Sequence, residues 1–167
     1  GALYVMDNAN TSTGGNIYKI HNGNVEKFAA FQAGFVWANT DNSLASDGRG
    51  GLWIAQNRWQ VDTYPALSHV NANGVVDFAV TSASSDELKA MFLQDDNNAS
   101  YRGHCAYNAS EDILAFGGNK VATLFKVIYD ASGVPSLEKL MSTPKLGTNI
   151  DGVAFDYAGD LYVASED

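Results

Sequence analysis

Near the end of the chain, Val153 and Phe155 alternate with small or polar neighbours, Tyr157-Ala158-Gly159 interrupts, and Leu161-Tyr162-Val163 resumes. Period-two alternation on both sides of a glycine turn predicts two antiparallel strands. The whole phrase, residues 151–164 (DGVAFDYAGDLYVA), recurs without gaps at 42–55 (NSLASDGRGGLWIA). There Ala45, Asp47, Gly50 and Leu52 stand where Ala154, Asp156, Gly159 and Leu161 stand later. A weaker copy at 103–116 (GHCAYNASEDILAF) has Ala106, Asn108 and Ile113 in those places, and the opening GALYVMD matches the second half alone through Leu3.

The leucine-position residues Leu3, Leu52, Ile113 and Leu161 lie 49, 61 and 48 residues apart. A second marker, a hairpin glycine followed within two residues by valine, recurs at Gly23, Gly74 and Gly133, spaced 51 and 59. Both markers lengthen in the same middle interval, so they belong to one repeating unit. Asn22-Gly23 and Asn73-Gly74 each predict a type I′ turn, in which both central residues take positive φ. A unit of four antiparallel strands in roughly 50 residues is the make-up of a β-propeller blade. The expectation is therefore an all-β chain, a single partial propeller over 1–167. It would comprise strands two to four of one blade (1–33), two whole blades (42–81 and 103–143) and the first two strands of another (151–167). The excess falls at 82–100, an insertion between blades. Ser84 with Glu87 has the capping-box spacing there, and Leu88, Met91 and Phe92 share one helical face, which predicts a short helix.

Charge narrows the partners. Nineteen acidic against ten basic residues give a net charge of −9, with no Lys/Arg run to offset it. Such a surface argues against nucleic acid, polyanionic glycans and anionic membrane surfaces. No stretch approaches the roughly 20 apolar residues of a membrane span. The single cysteine, Cys105, has no intrachain disulfide partner, and its apolar setting suits a small buried hydrophobe. His21 and His69 sit beside hairpin turns on outer strands, where solvated or packed histidine is expected. No G-x-S-x-G, Walker or H-E-x-x-H motif is present, and no catalytic residue is assigned.

The inner phrase D-G-V-A-F-D-x-x-G-D-L-Y-V-A resembles the inner strands of NHL-type and gluconolactonase (SMP-30)-like propeller repeats. The segment I-Y-K-I…N-G-N-V-E-K-F is similar to their outer hairpin. The resemblance implies a propeller of commonly six blades. It leaves function open, because these folds host hydrolases, binding scaffolds and secreted surface proteins.

Strand order places the segments entering each inner strand and the loops leaving each second strand at one end of the blades. That end collects Phe35, Trp37, Asn57, Arg58, Trp59, Tyr64, Tyr101 and Arg102. Trp37, Asn57, Arg58, Trp59, Tyr101 and Arg102 are the candidate ligand-binding set: aromatic rings with Arg and Asn suit stacking on a sugar or anchoring a protein. The other role open to Trp37 and Trp59 is to fill gaps between blades. The leading expectation is a non-catalytic scaffold without cofactor, extracellular, periplasmic or at the cell surface, engaging a protein or carbohydrate. Open blade edges would add self-association.

The alternative implied by the resemblance is a lactonase-like hydrolase with calcium or zinc on the axis. Asn42, Asp151 and His104 would be its ligands. Asp151 matches the family's P-D-G aspartate with Ile150 in place of proline, and Arg102-Gly103-His104 resembles its R-x-N with histidine in place of asparagine. The ungapped repeat alignment puts Gly103 rather than His104 at the ligand position, and no glutamate occupies an equivalent place. Oxygen ligands around a hard cation would polarise a lactone carbonyl and activate water.

Overall fold

Alternating segments become strands throughout the computed structural model, which describes residues 1–7, 16–30, 43–55, 66–81, 84–88, 103–118, 120–147 and 149–166. They form four antiparallel sheets. The first sheet contains β1 (Leu3–Asp7), β2 (Asn16–His21) and β3 (Asn24–Ala30). The second contains β4 (Ser43–Ser46), β5 (Leu52–Ala55), β6 (Leu67–Val70) and β7 (Val76–Val80). The third contains β8 (His104–Asn108), β9 (Ile113–Gly117), β10 (Ala122–Tyr129) and β11 (Pro135–Ser142). The last contains β12 (Asn149–Phe155) and β13 (Leu161–Glu166). Each four-stranded sheet is a meander in chain order, and the strand counts of three, four, four and two are those expected from the repeat.

Polar side chains at the strand ends shape the turns. Asp47 Oδ1 accepts the N–H groups of Arg49 and Gly51 at 2.7 and 2.8 Å. Asn71, Asp130 and Asp156 hold their own turns through the same i+2 and i+4 contacts. These Asx turns fix the reversal locally. One expectation changes here. Asn22 and Gly23 have φ of 50° and 77°, as a type I′ turn requires, whereas at Asn73-Gly74 only the glycine is positive, at 76°. The Asn71 side chain stabilises a longer turn, so Asn73 keeps an ordinary backbone. Gly74 is further constrained because a Cβ there would overlap the Phe28 carbonyl.

Register corrects a second expectation. Ala45 pairs with Trp53 and Ala154 with Tyr162, eight residues on, but Ala106 pairs with Ala115, nine residues on. The β8–β9 turn holds one more residue, with Asp112 at φ 50°. Leu114, not Ile113, therefore takes the leucine position, and it is fully buried.

Apolar residues on the two faces of the second sheet fill separate cores. Leu52, Ile54 and Val70 pack with Ile17 and Ala29 of the first sheet. Trp53, Ala55, Leu67 and Val80 pack with Leu114, Phe116, Phe125 and Val127 of the third. Inner strands meet in sequence, β4 against β8 and β8 against β12. Ser43 Oγ fastens the first of these pairs, donating to the Cys105 carbonyl at 3.0 Å and accepting its N–H at 3.1 Å.

Within 82–100, Asp86–Leu88 is helical and Leu88 packs against the larger core. Its cap is Ser85, whose Oγ accepts the Leu88 N–H at 3.2 Å. Ser84, the expected cap, instead accepts the Thr81 N–H at 2.9 Å and tightens the preceding turn. Met91 and Phe92 lie outside the described residues. No helix among the described residues is long and apolar enough to cross a membrane.

Candidate functional site

A β-bulge creates the most unusual polar feature of the described residues. His69 pairs with Phe78 and Val70 with Val76, leaving Asp77 as the extra residue. Bulges re-aim side chains, and here Asp77 Oδ1 reaches His69 Nδ1 at 2.6 Å. The other ring nitrogen, Nε2, meets Asp47 Oδ2 at 3.1 Å. His69 and Asp47 are 1% and 3% exposed. Both ring nitrogens thus stand within hydrogen-bond distance of a carboxylate.

Burial alone would raise the Asp47 pKa, but hydrogen bonds from His69 and from the N–H groups of Arg49 and Gly51 outweigh it and hold the carboxyl below its ordinary value. Gly51 leaves the room for this arrangement. A Cβ there would stand 2.5 Å from Asp47 Oδ2 and 2.6 Å from the Val70 carbonyl oxygen.

Aromatic rings and a second polar group surround the histidine. The Trp53 ring lies 4.7 Å from that of His69, centroid to centroid, and Tyr129 approaches edge-on at 6.1 Å. The Arg49 guanidinium sits 4.4 Å above the Tyr129 ring and reaches Asp112 at 3.1 Å. Asp112 also accepts the Tyr107 hydroxyl at 2.7 Å. Burial opposes ionisation of Asp112, yet the bonds from Tyr107 and Arg49 prevail and its pKa is lowered. Burial, with hydrogen bonds to Tyr129 and Asp112, raises that of Tyr107.

Above this floor opens a cleft of about 500 Å³, walled by the β4–β5, β6–β7 and β10–β11 turns. Both imidazole nitrogens are committed to carboxylates, so His69 joins the β4–β5 turn, β6 and β7 as a strut. The carboxylates sit on opposite sides of the ring and cannot converge on one ion through it.

His69 was expected as a solvated or packed outer-strand residue. It is packed, and both its ring nitrogens also meet carboxylates, whereas His21 is exposed. A signal existed in the sequence: His69 shares its strand face with Leu67 and lies across from Trp53, while Gly51 vacates space beside the repeat aspartate. Cys105 is the buried hydrophobe anticipated, its thiol pushed up to about 11 by burial.

Of the metal candidates, Asp151 occupies the bulge position between Ile150 and Gly152 at the start of β12 and is exposed. His104 opens β8 opposite Gly117 and is half-buried. The two therefore begin neighbouring inner strands. Asn42 lies outside the described residues, and among those described no group of three or more His, Cys, Asp or Glu is placed to hold a metal. Trp37, Asn57, Arg58, Trp59, Tyr101 and Arg102, with Phe35 and Tyr64, also lie outside them.

The strand ends flanking those stretches are described. Ser43, Ala55, Leu67 and Val80 form one row across the second sheet. His104, Gly117 and Ala122 form the matching row of the third, beside Ser43 through Cys105. No protein-family model and no curated protein matches this chain.

Proposed function

We propose that the chain is a segment of an NHL-type or gluconolactonase-like β-propeller from a secreted or cell-surface protein, serving as a non-catalytic scaffold that binds a carbohydrate or protein. One observation carries the reading: successive sheets meet inner strand to inner strand, with their turn tips side by side. Gly48 lies against Ala109 and Gly159 against Asn108 at these tips. With the turns gathered at one end, the strand ends leading into 31–42, 56–65 and 89–102 belong to the other. Those stretches contain Trp37, Trp59 and Tyr101 with Asn57, Arg58 and Arg102, side chains that stack on sugar rings and bond hydroxyls. The buried imidazole and thiol belong to the framework in this reading, not to a reaction.

A glycan array tests it. The parent should bind a neutral glycan, since a net charge of −9 disfavours polyanionic ones. Trp59→Ala should weaken that binding at least tenfold with the melting temperature unchanged. A parent that binds no glycan removes the carbohydrate reading. A melting temperature raised by calcium or zinc would favour instead a cation held by Asn42, Asp151 and His104.

A further inference from the structure

We propose that the cleft between the second and third sheets is a binding site for a neutral sugar, distinct in its residues from the aromatic set named above. Its walls belong to the two four-stranded sheets: the 71–73 and 130–134 turns rise above the Asp47–His69–Asp77 floor, and Arg49 and Tyr129 complete the lining. The opening has a packing cause. A Cβ on Gly74 would overlap the Phe28 carbonyl, so the β6–β7 turn is seated against the first sheet rather than against the β10–β11 turn. At about 500 Å³ the cleft has the size of a small-molecule site, for which roughly 300–1,000 Å³ is usual.

The hydrogen-bonding groups left over on these walls are of both kinds. Asn71 Oδ1 and Asp130 Oδ1 each accept two backbone N–H groups of their own turn. Asn71 Nδ2 then remains as a donor and Asp130 Oδ2 as an acceptor, neither with a partner among the described residues. Arg49 donates to Asp112 through Nη2 alone, at 3.1 and 3.2 Å, so its Nη1 and Nε remain as donors. Asp77 meets His69 through Oδ1, which leaves Oδ2 as a second acceptor. Ala72, Ala131 and Val134 add apolar surface beside them. A sugar matches this mixture, because each hydroxyl both donates and accepts and the ring carries C–H faces. An ammonium group would leave the Asn71 and Arg49 donors unmatched, and an anion would meet a chain of net charge −9.

Saturation-transfer NMR and titration calorimetry with glucose, galactose, mannose and N-acetylglucosamine test the proposal. At least one should bind, and added salt should leave its affinity unchanged, because a neutral ligand is not screened. Asn71→Asp and Asp130→Asn each keep the oxygen that holds the turn, since Asp and Asn fill the same role in the four Asx turns of this chain. Each reverses the leftover group, and each should weaken binding about fivefold or more. Ala131→Trp, at an exposed tip, should abolish binding by filling the cleft. Trp59→Ala should leave it unchanged, which separates this site from the aromatic set. Circular dichroism checks that the variants keep their strands. Failure of all four sugars to bind overturns the proposal. So does binding that survives Asp130→Asn and Ala131→Trp, or salt-sensitive binding of putrescine where no sugar binds.

Discussion

Asp47 and Asp156 occupy the same place in two copies of one repeat, which makes each the control for the other. Both side chains hold a turn through two backbone N–H groups, at 2.7 and 2.8 Å for Asp47 and 2.8 and 3.0 Å for Asp156. They differ in what lies beyond. Asp156 is exposed, so water replaces the lost acceptor and Asp156→Ala should cost about 1 kcal/mol, as for a helix cap. Asp47 is buried against His69. Removing it leaves His69 Nε2 buried without its acceptor, while Nδ1 keeps Asp77; that desolvation adds to the loss of the turn, and Asp47→Ala should cost about 2–4 kcal/mol. Urea unfolding followed by tryptophan fluorescence measures both, read as a shift of midpoint at constant slope. Equal losses for the two variants would show that the His69 contact adds nothing to the turn.

Asp47→Asn separates charge from hydrogen bonding, because the amide keeps an acceptor for the turn. The folded-state pKa of Asp47 is lowered from 3.8, so its ionised form stabilises the fold at higher pH. That contribution is complete above the unfolded value and disappears as pH falls through the lower folded one. The stability difference between parent and Asp47→Asn should therefore be full at neutral pH and shrink below about pH 4.

Three further outcomes are expected. Leu114→Ala should cost about 2–5 kcal/mol and Ile113→Ala distinctly less in the same unfolding assay, because the extra turn residue moves the core position by one. Gly74→Ala should destabilise far more than Gly133→Ala, since both have positive φ but only Gly74 faces a carbonyl, that of Phe28; similar melting temperatures would contradict the packing described. Cys105, its thiol pushed up to about 11, should resist a thiol reagent at pH 8 until denaturant is added, and rapid labelling of the native protein would refute its burial.

Sheet content and strand number were legible because each copy repeats two signals, the small inner residue (Ala45, Ala106, Ala154) and the glycine turn. What the pattern hid was any event confined to one copy. The β8–β9 turn, N-A-S-E-D, lacks the glycine that would have marked its longer loop, so an ungapped alignment slid Ile113 into the place of Leu114. Asn73-Gly74 reads as a two-residue turn only until the Asn71 side chain is allowed for. The Asp47–His69–Asp77 arrangement depends on a bulge that reverses the facing of Asp77, and simple alternation assigns it to the wrong side. The aromatic set at the connection end rests on strand order alone, as does Asn42.

The Asx-held turns divide labour within each reversal. Backbone shape at 47–51, 71–75, 130–134 and 156–160 is dictated by the first residue and the glycine three places on. The two residues between them, Gly48-Arg49, Ala72-Asn73, Ala131-Ser132 and Tyr157-Ala158, differ in every copy; Gly48 alone among them has positive φ, at 72°, and packs against Ala109. A repeat built this way can change what its tips display without disturbing the strands beneath, so new two-residue tips can be grafted at 72–73, 131–132 and 157–158, whereas 48–49 is tied to the neighbouring sheet through Ala109 and Asp112.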